Sequence, residues 1–275
     1  MNKMRDYSIL AEKARTLRLN TLDMILKAGS GHIGGSFSIA ELITALFYGK
    51  MNLGNGPEDR DRDRFILSKG HANPILYSVL IDIGWIDEKE KDTLRRLGSP
   101  LQGHPDSLKC PCLDCSTGSL GQGLSVGVGM ALGLKKQGRK GMVYVITGDG
   151  ELQEGICWEA LMFASSSALD NLTVIVDRNH LQLSAPTEKT NGLDDLGAKM
   201  RSFNLSVSEI DGHCFSDIFS ALDKDSQGKP KVIIADTVKG KGVSFMENRV
   251  EWHGALPNKE QADLAYKELG GRRNG

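Results

Sequence analysis

Asp149 stands between two glycines, Gly148 and Gly150, and Asn179 closes a second apolar run further along the chain. A carboxylate and a carboxamide oxygen are hard donors suited to Mg²⁺, or to Ca²⁺ or Mn²⁺. Such an ion commonly completes its shell with water and phosphate oxygens. The glycines allow backbone N–H groups to approach those oxygens, and a helix N-terminus adds a favourable dipole. The chemistry this suggests is a diphosphate held through a divalent cation. Taken alone, a Gly-Asp-Gly tripeptide is more often an ordinary turn.

Histidine is the second group that could do chemistry. Of six histidines, His32, His71, His104 and His253 fall in glycine-flanked loops. One such residue is usually structural, but four could converge on a single anionic, polyhydroxylated ligand and exchange protons near neutral pH. His180 and His213 lack that setting. Cys110, Cys112 and Cys115 form a C-x-C-x2-C cluster without an obvious fourth zinc ligand, so reduced loop thiols are expected. Cys157 and Cys214 read as packing residues.

Several elements must position these groups. Residues 142–147 and 172–176 are short apolar runs that read as buried strands, with a helix at 153–167 between them. This βαβ unit places Asp149 and Asn179 at the carboxyl ends of two parallel strands, where ligands bind in such sheets. A helix is expected over 5–28, and another over 39–47, capped by Ser38 with Glu41 completing a capping box. Residues 65–67 form a strand that delivers Ser68, Gly70 and His71 to a loop. Further helices are expected at 74–83, 88–97 and 121–136, and a strand at 231–238. Residues 103–118, 184–197 and 240–254 read as loops. The class is α/β, a mainly parallel sheet flanked by helices. Residues 1–267 are expected to form one domain, and 268–275 a flexible tail.

Lys and Arg total 34 against 35 Asp and Glu, a net charge of −1. That balance gives no reason to expect nucleic acid or another polyanion as partner. No apolar stretch is long enough to span a bilayer, and the first twenty residues lack a secretory core, so a cytoplasmic protein is expected.

The segment Gly148-Asp149-Gly150-Glu151-Leu152-Gln153-Glu154-Gly155 through Asp177-Arg178-Asn179 resembles the thiamine-diphosphate signature, and more narrowly the N-terminal half of transketolase. Matching segments follow the same order along the chain: Ser30-Gly31-His32-Ile33-Gly34-Gly35-Ser36, Leu67-Ser68-Lys69-Gly70-His71-Ala72, Gly103-His104-Pro105-Asp106, Ser116 to Gly123, and Lys239 to Gly254. The resemblance implies the thiamine-diphosphate-binding fold, here its diphosphate-side domain. It makes Asp149, Asn179 and the Leu181 carbonyl the metal ligands, and gives Gly148, Gly150 and His71 to the diphosphate, with Gly150 offering its N–H. Gly118 and Leu120 would lie beside the cofactor rings. His32 and His104 would contact substrate hydroxyls, and His253 would serve both diphosphate and proton transfer. Glu154 would be a carboxylate at the interface linking paired active sites, though an exposed helix-start carboxylate reads almost as well. Two departures stand out: Ser119 where many relatives carry proline, which loosens that loop, and the bulky Arg178 and His180 around Asn179.

In that family a glutamate on a second domain protonates the cofactor's pyrimidine, and this chain has no stretch for a second sheet. The resemblance therefore implies the N-terminal subunit of a split transketolase. It would transfer a two-carbon ketol unit between sugar phosphates, as in pentose phosphate metabolism. It would work with a separate C-terminal subunit carrying the pyrimidine-binding domain, in a heterotetramer. The cofactor signature alone leaves open a deoxyxylulose-phosphate synthase-like enzyme, the α-type chain of a 2-oxo acid dehydrogenase, or a non-catalytic homologue.

Overall fold

The computed structural model describes residues 5–272. The expected domain start and the last three residues of the expected tail lie outside that range.

Helix α1 (Tyr7–Ala28) begins where the Asp6 carboxylate accepts the N–H groups of Ser8 and Ile9, and ends at left-handed Gly29. The chain continues through α2 (Ile33–Ser38), α3 (Ala40–Ala45), β1 (Arg64–Leu67), α4 (Asn73–Asp82) and α5 (Gln122–Lys136). Next come β2 (Val143–Gly148), α6 (Gly155–Ser166), β3 (Leu172–Arg178), α7 (Thr187–Thr190) and α8 (Leu196–Ser202). It closes with β4 (Ser206–Asp211), α9 (Phe215–Asp223), β5 (Lys231–Asp236) and α10 (Lys259–Glu268).

The five strands pair in parallel in the order β1-β2-β3-β5-β4. The apolar runs of β2, β3 and β5 are continuous because both faces are covered. Tyr144, Ile146, Ile175 and Ile233 pack into a core with α1, α3, α4 and α9. Val145, Val174, Val176 and Val232 pack on the other side with α5, α6 and α8.

Four expectations need correction. Ser38 ends α2 instead of capping the next helix, because its hydroxyl donates to Asp177 at 2.7 Å. Glu41, freed from a capping box, forms a buried pair with Arg18 at 2.6 Å. The 88–97 segment is a 3₁₀ turn at Glu88–Thr93, after which Leu94 is no longer helical. Residues 184–197 contain α7 and the start of α8. Packing also runs past residue 267: α10 ends at Glu268, and Leu269 is buried against the core.

The carboxyl ends of four strands point the same way. Leu67 of β1 leads into Ser68, Lys69 and His71; β2 leads into Asp149, β3 into Asn179, and β5 into Thr237 and Lys239.

Candidate active site

At those strand ends lies a cleft of about 380 Å³. All twelve residues singled out in the sequence line it: His32, His71, His104, Gly118, Leu120, Gly148, Asp149, Gly150, Glu154, Asn179, Leu181 and His253. Lys69, Glu151, Gln182 and Lys239 line it as well.

The floor is a buried polar network. Asp177, fully buried, accepts from Lys69 Nζ, Ser38 Oγ, Thr237 Oγ1 and Asn179 Nδ2, the last at 2.8 Å. Burial pushes the Asp177 carboxyl up, but the Lys69 ammonium and these hydrogen bonds outweigh it, and the group lies below the usual carboxylate range. Because Asn179 spends its amide N–H on Asp177, its Oδ1 is the atom left for a ligand; it accepts only the Leu181 N–H at 3.2 Å. Asp149 Oδ2 accepts from Arg178 at 3.1 Å, the His180 N–H at 2.8 Å and Thr187 at 3.2 Å. Burial, then the nearby Asp177 charge, raise the Asp149 carboxyl. Gly150, expected to offer its N–H to a diphosphate, donates it here to Asp149 Oδ1 at 2.7 Å.

Glu151 ties three segments together. Its carboxylate accepts from the Ser68 hydroxyl, the Gly121 N–H at 2.8 Å and the Gly148 N–H at 3.0 Å. Gly121 has φ 82, and a Cβ there would sit 2.4 Å from Ile156 Cγ2, so only glycine fits this turn.

The rim is made of imidazoles. The ring centroids of His32, His71 and His253 lie 5.0–5.3 Å apart, and His104 is 6.5 Å from His32. Burial, then nearby cations, depress all four. His32 falls to about 4 and His253 to about 3, with His71 well below and His104 below the ordinary value. They are neutral at pH 7, able to donate from one ring nitrogen and accept at the other. Lys239 donates to the Leu181 carbonyl at 3.2 Å and to His253 Nδ1 at 3.0 Å. Burial, and then Lys69, lower it to about 8.

The donor set fits a divalent cation bound with phosphate. Asp149, the Asn179 amide oxygen and the Leu181 carbonyl are all hard oxygens. Among the described residues no group of three or more His, Cys, Asp or Glu side chains could hold a metal by itself. The remaining ligands would come from elsewhere, as Mg²⁺ prefers.

The other histidines stay out. His180 bonds the exposed Asp236 at 2.8 Å, and His213 bridges Glu41 and the Val238 N–H, both at 2.8 Å. Cys110 and Cys112 are buried with sulfurs 3.3 Å apart, and every cysteine is free. Glu154 is exposed at the N-cap of α6. Lys69, Lys239, Glu151 and Asp177 lay inside the matching motifs without an assigned role. The signal that could have found them is a charged residue directly after an apolar strand, where burial demands a partner.

A parallel sheet that gathers hard oxygens, lysines and imidazoles at its carboxyl edge places this chain among the α/β domains that bind ligands at their strand ends. The family model "Transketolase, thiamine diphosphate binding domain" matches residues 9–273. The chain belongs to the transketolase family of enzymes and corresponds to its N-terminal, thiamine-diphosphate-binding part. It is 41% identical over 263 residues to 6-deoxy-6-sulfo-D-fructose transketolase subunit SqwG of Clostridium sp. (strain MSTE9), covering 94% of this chain and 96% of that one. It is 40% identical over 270 residues to one of the subunits of apulose-4-phosphate transketolase from Actinobacillus succinogenes, covering 96% of each. Human transketolase is 38% identical over 262 residues, which cover 94% of this chain and 42% of the human one. The transketolase structure from Campylobacter jejuni superposes with a TM-score of 0.89 at 31% identity, covering 98% of this chain and 44% of that one. The chain thus spans less than half the length of these single-chain transketolases and nearly all of the split subunits. Among the described residues no helix is long and apolar enough to cross a membrane.

Proposed function

We propose that this chain is the cofactor-binding half of a split transketolase in the cytoplasm. With a separate pyrimidine-domain chain, in a heterotetramer, it transfers a two-carbon ketol unit from a ketose phosphate to an aldose phosphate. Its single domain would be the expected 1–267 extended through Leu269, which packs against the core. The observation that carries the reading is convergence: six separated motifs meet in one cleft with no member missing. The near-complete overlap with two split-transketolase subunits supports the need for a partner.

Bound thiamine diphosphate would supply the carbanion chemistry that cleaves and reforms the carbon–carbon bond. This chain's residues do the rest. Asp149, Asn179 and the Leu181 carbonyl hold Mg²⁺, and Ca²⁺ or Mn²⁺ could replace it. His71, His253 and the Gly148–Gly150 turn would hold the diphosphate, and Lys239 would offset its charge. Gly118 and Leu120 border the rings. His32, His104 and His253, neutral at pH 7, orient hydroxyls, and His104 and His253 also move protons. Glu154, exposed beside the cleft, meets the neighbouring subunit. The relatives' names include 6-deoxy-6-sulfo-D-fructose and apulose 4-phosphate, and both belong in the assay.

The test is to purify the tagged chain with whatever co-purifies. Ketol transfer from xylulose 5-phosphate to ribose 5-phosphate, and from 6-deoxy-6-sulfo-D-fructose and apulose 4-phosphate, is then assayed. Activity that needs thiamine diphosphate and the second chain is expected. Decarboxylation of a 2-oxo acid without ketol transfer would overturn the reading.

A further inference from the structure

Arg95 belongs to none of the motifs and does not line the cleft, yet it reaches one of its histidines. It follows the 3₁₀ turn Glu88–Thr93 and adopts φ 60, a conformation that a long side chain rarely takes. Its N–H donates to the Leu101 carbonyl at 2.8 Å, which holds the turn. Gly103 leaves room for the side chain: a Cβ there would stand 3.2 Å from Arg95 Nε. Arg95 Nη2 ends 3.3 Å from His32 Nδ1, while Nε is buried without a hydrogen-bond partner. Backbone and packing thus aim the guanidinium at one atom, although the arrangement leaves a donor unsatisfied.

Arginine carries only donors and does not lose its proton. Nδ1 of His32 must therefore accept, and the ring's single proton sits on Nε2. We propose that Arg95 is a positioning residue that locks His32 as the neutral Nε2–H tautomer, so that His32 offers the sugar a hydrogen-bond donor and not a base. The role of His32 toward the sugar rests on the proposed function; the tautomer does not.

The surroundings agree. His71 and Lys69 follow β1, His104 shares the 94–104 loop region with Arg95, and His253 and Lys239 approach from beyond β5. None of these groups is anionic, so none stabilises a cationic His32. Burial and then Arg95 are the leading causes that bring it to about 4.

The test is ¹⁵N–¹H correlation spectroscopy of the chain, histidine-labelled and assembled with its partner, together with kinetics. In the wild type, His32 should show an unprotonated Nδ1 and a protonated Nε2 from pH 6 to 8. Arg95→Met should mix the tautomers and lower kcat/KM for the ketose by ~10–100-fold. It should move the acid limb of kcat/KM to higher pH and leave thiamine-diphosphate affinity unchanged. Arg95→Lys should restore much of the tautomer preference. A protonated Nδ1 in the wild type would overturn the proposal even if Arg95→Met fails to fold. So would an Arg95→Met spectrum and pH profile identical to the wild type. The expected tautomer in an assembly without ketol transfer would instead count against the proposed function.

Discussion

The floor and the rim of the cleft are built by opposite means. The floor stands on strand ends, with charged side chains almost fully buried and each carboxylate saturated with donors. Lys69 and Asp177 lie 2% and 0% exposed, so their geometry follows the register of the sheet. The rim stands on loops and short turns, and its four imidazoles are kept uncharged by burial and by neighbouring cations. On the proposed function, a metal and a diphosphate would use the fixed oxygens that rigid strand ends supply. Proton handling needs groups that can change state, which neutral histidines supply.

The largest test removes the floor's hub. Asp177→Ala should cost about 3–5 kcal/mol of stability, because it leaves Lys69 buried without its counter-charge. It should also release the Asn179 amide and weaken metal-dependent cofactor binding. Urea unfolding and calorimetric titration read the two effects. A loss under ~1 kcal/mol would mean that Lys69 finds another partner and that the floor is not the rigid part.

Asp149→Ala is next, and it acts on binding more than on folding. Metal-dependent affinity for thiamine diphosphate should fall by more than the ~10–100-fold typical of removing an outer-shell partner. Arg178 keeps Glu188 at 2.5 Å, so the loop has a second tether. Wild-type affinity in the variant would remove Asp149 from the metal site.

The rim predicts a loss of stability toward acid, against which the raised carboxyls of Asp149 and Glu151 in the floor act with the opposite sign. His32 and His253 have folded values of about 4 and about 3, below the ordinary 6.5. Between pH 6.5 and 4 the unfolded chain binds more protons than the folded one, so stability falls as pH drops through that window. A bound diphosphate supplies negative charge and should flatten the loss. Melting temperature at pH 7 and pH 5, with and without cofactor and Mg²⁺, measures both. A profile that His32→Gln leaves unchanged would mean that this imidazole is not held neutral.

Legibility in the sequence followed the same division. The central strands were readable because burial on both faces makes them unbroken apolar runs. The edge strand β4, Ser206–Asp211, was not, since its exposed side lets Ser208, Glu209 and Asp211 interrupt the pattern. Helix α9 carries Phe215, Ile218, Phe219 and Leu222 at helical spacing and was legible in principle. All twelve candidate residues reached the cleft because the motifs fix them relative to strand ends. What a sequence does not display is which buried charges pair. Ser38 looked like a cap because the hydroxyl's partner, Asp177, is distant in sequence. Arg95 carried no signal, since its importance comes from a turn that folds it back onto His32.

The smallest expected effect concerns His180, which adjoins Asn179 in sequence yet belongs to neither region. Its backbone N–H supports Asp149, while its side chain is about half exposed and meets only Asp236, itself largely exposed. An exposed pair of this kind contributes about 0–1 kcal/mol. His180→Gln keeps the backbone contact and a polar side chain, so stability should change by no more than ~0.5 kcal/mol. Ketol transfer by the assembled enzyme should stay near the wild-type rate. His32→Gln, by contrast, removes a rim imidazole and should lower turnover sharply with little loss of cofactor affinity. If His180→Gln also lowered turnover sharply, the rim would extend beyond the four imidazoles. The partner chain would then have to cover His180 and turn an exposed side chain into part of the substrate site.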